Sequence, residues 1–407
     1  MSTLRATNIK NPDSGSNNIV LSEGGGVVIS GVTTVSNANI TGGSITGIST
    51  VGVTTVTTTN LTVNGNAYPT AGPLSNRNLI INGDMRIDQR NAGVSINPTN
   101  GQYSVDRFKA LTFPTGKFTL QKNAGSVTPP VGFLSYLGAT SSSAYTVSST
   151  DYFGIIQSVE GYNIANLAWG TSNAKSTTLS FWVRSSLTGT FGVAFGNENN
   201  DRGYAATYTI SSANTWEYKT ITIAGPTTGT WNTTNGTGIQ IVFGLGIGSN
   251  TSTTPGSWVN SFVLGATGAT SVVGTNGATF YLTGVQLEVG EVATPFEHRS
   301  YGDELARCQR YCERIDCVAQ YMITTNVAGT SIRSQSIPFT ITKRATPTLT
   351  FTNSNSEYIV PNGGGVAYSN YNFVTFNDKH WRVDDSTSRT TGTIISLTGT
   401  LIASAEL

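Results

Sequence analysis

Between residues 150 and 290 apolar and polar side chains alternate one by one, in run after run. That period belongs to strands with one buried face. In the run 179–184, Leu179, Phe181 and Val183 share one face, and Ser180, Trp182 and Arg184 the other. Ile239, Ile241, Phe243, Leu245 and Ile247 alternate with Gln240, Val242, Gly244 and Gly246. Phe191, Val193 and Phe195 repeat the pattern, as do Tyr204, Ala206, Tyr208 and Ile210. About eight such strands joined by Gly, Asn and Ser turns predict a jelly-roll β-sandwich. Phe181, Val183, Ile241, Phe243 and Leu245 are its expected core. A first strand is expected at 78–81, leading into the turn Asn82-Gly83-Asp84, where positive φ is available.

The flanks follow other patterns. GVTTV at 31–35, GISTV at 47–51 and GVTTV at 52–56 are near-repeats. Each offers too few apolar side chains to bury a face alone, so the units must stack on neighbours or on other chains. Three chains around one axis would supply the missing partners; a plain Gly/Thr linker is the alternative. Pro69 and Pro73 in YPTAGPLSN block ladder bonds and mark a hinge. After the sandwich a helix is predicted from about 302 to 315. Ser300 and Asp303 form its capping pair, and Leu305, Cys308, Cys312 and Ile315 recur at 3-4-3 spacing. That stripe packs either on the chain's own sandwich or on a trimer axis. Strands near 321–326, 336–343, 348–352, 371–376 and 393–397, with a turn at 363–365, complete a small terminal domain. The whole is expected to be all-β. It comprises a repetitive N-terminal shaft (1–75), the jelly-roll (76–300), a connecting helix (301–317) and a C-terminal β domain (318–407).

Composition narrows the function. Of 407 residues only 11% are charged and 37% hydrophobic, with 46 glycines, against roughly 25% and 45–50% in ordinary globular chains. Neutral polar surfaces on short strands fit that mix. A net charge of +1 without a Lys/Arg cluster speaks against nucleic acid, which needs a basic stripe. No apolar run is long enough for a membrane span, and residues 1–30 lack a signal-peptide pattern. The lack of an export signal fits a protein made in the cytoplasm and assembled into a particle released by lysis.

Catalytic and metal chemistry find little support. Cys308, Cys312 and Cys317 are spaced by four and five, unlike paired zinc ligands, and are expected as buried thiols on the helix. His298 and His380 are the only histidines, and neither accompanies an elbow-type serine. Glycan cleavage needs two carboxylates about 5–10 Å apart. Asp84, Asp88, Asp106, Asp151, Glu160, Glu198, Asp201 and Glu217 are available, but no motif pairs any two. No cofactor fingerprint is present. Sugar binding asks for less: an aromatic ring for the sugar's C–H face, with amides or carboxylates for its hydroxyls. Asn200, Asp201 and Tyr204, with Trp231 in the GTWNTTNG loop, are the candidate site. Tyr371, Phe373 and Trp381 form an alternative distal patch. Solvated turns remain the plain reading of the loop residues.

Five runs carry a resemblance. NLIINGDMRIDQRNAG, YFGIIQSVEGYNIANLAWGT, TLSFWVRSSLTGTFGVAF, TYTISSANTWEYKTITIAG and FYLTGVQLEVGEVATPFEHRSYGDELARCQRYCER resemble bacteriophage and prophage tail-fibre or virion-fibre proteins, over roughly 76–315. The resemblance implies a virion component that touches the host cell. On this expectation the chain is a non-enzymatic homotrimer. Its N-terminal region meets other virion proteins and its sandwich meets a host glycan or receptor, without cofactor or membrane insertion. A collar, baseplate or capsid fibre without its own ligand is the alternative, and a glycan depolymerase a third. The motif order also resembles carbohydrate-binding modules of jelly-roll type. In those modules the strand matching 280–288 often carries an acidic residue near its start. Here Thr283 and Gly284 stand instead, which removes support for a metal or ligand role there.

Overall fold

The computed structural model describes the backbone of residues 8–9, 19–21, 27–29, 61–63, 66–68, 76–323, 332–333, 336–359, 365–367, 371–385 and 394–407. Side chains are described for 76–316, 336–352, 373–384 and 399–407. The chain divides into two units, 1–57 and 58–407, where the sequence placed a boundary near residue 75. In the first unit Asn8–Ile9, Ile19–Leu21 and Val27–Ile29 pair as a three-stranded antiparallel sheet. The near-repeats at 31–56, and with them the expected shaft, lie outside the described residues.

In the second unit the alternating runs become two packed antiparallel sheets. Strands β1 (Lys109–Phe113), β2 (Phe118–Lys122), β3 (Leu137–Ser141) and β4 (Tyr152–Glu160) come first. Then follow β5 (Thr177–Ser185), β6 (Gly189–Gly196), β7 (Gly203–Ile210) and β8 (Glu217–Ile223). β9 (Thr237–Ile247), β10 (Trp258–Val259) and β11 (Thr279–Val289) complete the set. One sheet has five strands in the order β8-β5-β11-β3-β2, the other six in the order β10-β7-β6-β9-β4-β1. The chain crosses repeatedly between layers, giving the jelly-roll sandwich that the alternation predicts. Phe181, Val183, Ile241, Phe243 and Leu245 are all at 0% exposure. Phe181 meets Phe243 and Tyr208 edge-to-face at 5.1 and 5.0 Å, a geometry that adds to area burial.

Two departures from strict alternation shape the surface. In β11, Phe280 and Leu282 face the core; after a register shift opposite the Ser180–Trp182 step, Val285, Leu287 and Val289 face it instead. Gly284 takes φ +61° at this bulge, with the Phe133 ring 2.7 Å from where a Cβ would stand, so only glycine fits. In β9 the register slips between Gly244 and Gly246, and Ile247 joins the outer face instead of the core. That outer face is not solvated. Val263, Leu264 and Ala266 cluster over Ile156, Ala194, Ala205 and Val242, so the expected polar side of β9 is covered by the chain itself.

The expected first strand at 78–81 is a clasp held largely by side chains. Two backbone bonds tie it to β11, Leu79 N–H to Leu287 O and Val285 N–H to Gly83 O, both 2.9 Å. Asn78 donates to Val285 O and accepts from the Leu287 N–H. Glu297 accepts from the N–H groups of Arg77 and Asn78, and Arg299 donates to the carbonyls of Asn78 and Ile80. A Cβ on Gly83 would lie 2.1 Å from Val285 O, so the turn approaches β11 as only glycine allows. The first and last runs of the sandwich thus lock each other.

Helix α1 (Tyr301–Gln309) starts as expected, with Ser300 Oγ accepting from the Asp303 N–H at 3.1 Å. It ends six residues earlier than the stripe implied. Cys312 and Ile315 belong to β12 (Cys312–Ile323), which pairs along its length with the last strand, Ile394–Ser404. Ladder formation there overrides the helical spacing, and Leu305 and Cys308 alone keep the helix contact, beside Ile81, Ile87 and Tyr311. β13 (Thr348–Ile359), β14 (Tyr371–Thr375), β15 (His380–Asp385) and β16 (Ile394–Ser404) build the rest of the terminal region. β12, β16, β13 and Gly365–Ala367 form one sheet. Of the strand expected at 336–343, only Ile337–Pro338 pairs, with β15.

Candidate functional site

Where the clasp meets the loop after β4, the surface sinks into a groove of about 400 Å³, within the usual size range of small-ligand sites. The loop GYNIANL folds into two short 3-10 turns, Gly161–Asn163 and Ala165–Leu167. Gly161 and Tyr162 N–H groups bond to Gly236 O and Thr234 O at 2.9 and 2.8 Å. Ile164 and Leu167 drop into the core, which turns Tyr162, Asn163 and Asn166 outward. Tyr162 is 61% exposed.

The opposite wall is the clasp segment, with Asn76, Asn78 and Leu79. Gln157, buried on β4, fixes it there: its side-chain oxygen accepts from Ile81 N–H at 3.2 Å and its amide donates to Ile81 O at 2.9 Å. The same strand therefore positions both walls. Arg307 closes one end from the last turn of α1, donating to Asn76 Oδ1 at 2.8 Å. The exposed carboxamides of Asn163 and Asn166 offer donors and acceptors together, as a sugar hydroxyl requires, and the exposed phenol ring of Tyr162 offers a flat face for C–H groups. The run EGYNIAN held the sequence signal for Tyr162, Asn163 and Asn166: polar and aromatic residues just past a strand. Arg307 gave none, because its place depends on how α1 docks.

The loop site expected from sequence has a different character. Asn200 and Asp201 are exposed at the β6–β7 turn, with Asn200 at φ +58°. Asn197 Nδ2 donates to Asp201 Oδ1 at 2.6 Å and to Thr230 O at 3.0 Å, so the turn and the Trp231 loop do come together. The rings, however, are turned on one another. Trp231 is 7% exposed and packs edge-to-face on Trp169 and Trp258, at 4.8 and 5.5 Å. Tyr204 is half-buried, 5.2 Å from Trp258. Indole N–H groups of Trp169 and Trp258 donate to Lys175 O and Ala224 O. Trp231 is therefore a packing residue and no open platform, because its neighbours occupy it. In the distal patch Trp381 is at 0% exposure, and Phe373 stacks on Phe351 at 4.5 Å. Both serve the terminal core, and the Tyr371 side chain lies outside the described residues.

Every carboxylate considered for hydrolysis is engaged by a neighbour. Asp84 pairs with Arg86, and Asp88 accepts from the N–H groups of Asn91 and Gly93. Asp106 holds Gln89 and Arg90; Asp151 holds Tyr145 and Ser148. Glu160 accepts from Arg310 and Tyr311, Glu198 from Asn232 and Thr237, and Glu217 from Ser211, Ser212 and Lys219. Burial, with the Asp106 and Glu304 carboxylates, pushes the Cys308 thiol well above its ordinary value. Cys308 and Cys312 are buried and free, Cys308 on the helix and Cys312 on β12. Among the described residues no His, Cys, Asp and Glu side chains gather as a metal site. His298 packs against Phe296 and Phe133 at 4.9 and 5.3 Å. No helix among the described residues is long and apolar enough to cross a membrane.

No protein-family model and no curated protein matches the chain. Among similar solved structures is the enzymatically active domain of bacteriophage CBA120 tailspike protein 4, 12% identical over 47% of this chain at a TM-score of 0.26. This chain spans 21% of that structure. A CBM4 structure is 15% identical over 51% of this chain and 97% of its own, at 0.27. A family 11 carbohydrate-binding module from Clostridium thermocellum, in complex with a mixed-linked tetrasaccharide, is 10% identical over 50% of this chain and 100% of its own, at 0.24. With TM-scores this low, none of them bears on what this chain does.

Proposed function

We propose that this chain is a non-enzymatic virion fibre protein, of a tail fibre or similar appendage, that attaches to a host-surface glycan through the groove beside Tyr162. The observation that carries the reading is the groove: an exposed aromatic ring beside the exposed carboxamides of Asn163 and Asn166, in a chain poor in charge. The resemblance of the runs at 78–93 and 280–314 to virion-fibre proteins supplies the biological setting. Weak single sites suffice for such a protein, because three copies on one fibre and several fibres on one particle bind together. The N-terminal repeats are the part assigned to trimer formation and to contact with other virion proteins.

Retention on immobilised host surface polysaccharide tests the reading. The polysaccharide is expected to retain the full chain and to keep its length. Tyr162→Ala is expected to weaken retention by about two- to tenfold per site, the worth of one aromatic contact, with thermal unfolding unchanged. Shortened polysaccharide would mark a depolymerase, and absence of retention a purely structural virion part.

A further inference from the structure

Arg307 is the one lining residue that a neutral sugar has no need of. It is half-buried at the end of the groove, and its bond there is to a neutral acceptor, Asn76 Oδ1. Among the described residues it forms no ion pair. The carboxylates near the groove are taken: Glu304 by Arg299 and the Asn82 N–H, Glu160 by Arg310 and Tyr311. Asp303, one turn earlier on α1, is exposed and lies outside ion-pair distance of Arg307. The other lining residues, Tyr162, Asn163, Asn166, Asn78 and Leu79 among them, are neutral. Among the described residues Arg307 is therefore the one charged side chain lining the groove, and no carboxylate pairs with it directly.

We propose that the groove selects a carboxylate-bearing sugar, a uronic or nonulosonic acid, and that Arg307 is the residue that pairs with the carboxylate. The proposal rests on the glycan-binding reading above and names its ligand class. A guanidinium presents a planar fork that matches the two oxygens of a carboxylate. One guanidinium balances one negative charge, which favours a carboxylate over a phosphomonoester dianion. With the carboxylate docked on Arg307, the sugar ring would rest against the loop wall of Tyr162, Asn163 and Asn166.

The test uses paired probes in which the carboxylate is masked or replaced by a neutral group: polygalacturonic acid beside its methyl ester, and polysialic acid beside its carboxyl-reduced form. Full-length protein should bind an acidic member more tightly than its neutral twin, and added salt should weaken that binding. Arg307→Gln should lower affinity for the acidic member by about tenfold to a hundredfold, the usual worth of a charged hydrogen-bonded pair, and Arg307→Lys should restore part of it. Circular dichroism and thermal unfolding check that the variants fold. Equal binding of both twins, or retention of no acidic probe, overturns the proposal. If Tyr162→Ala weakens binding and Arg307→Gln does not, the groove stays a glycan site and its acidic selectivity is lost. If neither substitution matters, the groove itself is excluded.

Discussion

Phe243 and Trp231 are both buried aromatics, yet only the first announces itself. Phe243 sits at 0% exposure against Phe181, as its place in an alternating run requires. Phe243→Ala should cost about 3–5 kcal/mol, read as a lower midpoint in denaturant unfolding; a loss under about 1 kcal/mol would contradict the packing. Trp231 stands in a polar loop, where a ring reads the same whether its faces are open or covered. Trp169 and Trp258, far along the chain, decide that they are covered. Trp231→Ala should therefore also cost about 3–5 kcal/mol, and any loss of ligand binding in that variant should come with a lower Tm. Tyr162→Ala should leave Tm unchanged. Measuring both quantities on both variants separates a packing ring from a contacting one.

At the scale of elements, the clasp depends on ionised side chains. Burial opposes the charge on Glu297, but the N–H groups of Asn78 and Arg77 and the Arg299 and Arg77 guanidiniums outweigh it, so its pKa lies below the ordinary 4.5. A folded pKa lower than the unfolded one means that ionisation favours the fold. The contribution is complete above the unfolded value and is lost as pH falls from 4.5 toward the folded one. Thermal unfolding of the wild type should therefore weaken over this acid range more steeply than that of Glu297→Gln; parallel curves would remove Glu297 from the account. The clasp was not legible in sequence, because NLIIN reads as a strand while its bonds to β11 run to residues more than 200 positions away. The helix was legible at its start, where Ser300 caps locally. Its end was not: Cys312 and Ile315 satisfy a helical stripe and a strand equally, and only pairing with β16 selects the strand.

For the molecule as a whole, period-two alternation carried the sandwich and its core, since each strand repeats the same local statement. The groove escaped because residues 76–79, 162–166 and 307 share no local pattern and meet only in the folded chain. Assembly remains legible only in the GVTTV and GISTV units. They lead to the expectation of a trimer by light scattering for the full chain, and of a monomer for a chain beginning at Asn76. A trimer that survives the truncation would move the contact into the sandwich or terminal region. The clasp has a mechanical side as well. Arg299 grips the carbonyl of Ile80 across 219 positions of chain, so the polypeptide enters and leaves the sandwich at one knot. A pull between the N-terminal side and α1 should therefore load that junction before it loads the strands. In an extension experiment the knot should rupture before any strand peels. Below that force, a tether can be tugged without stretching the sandwich.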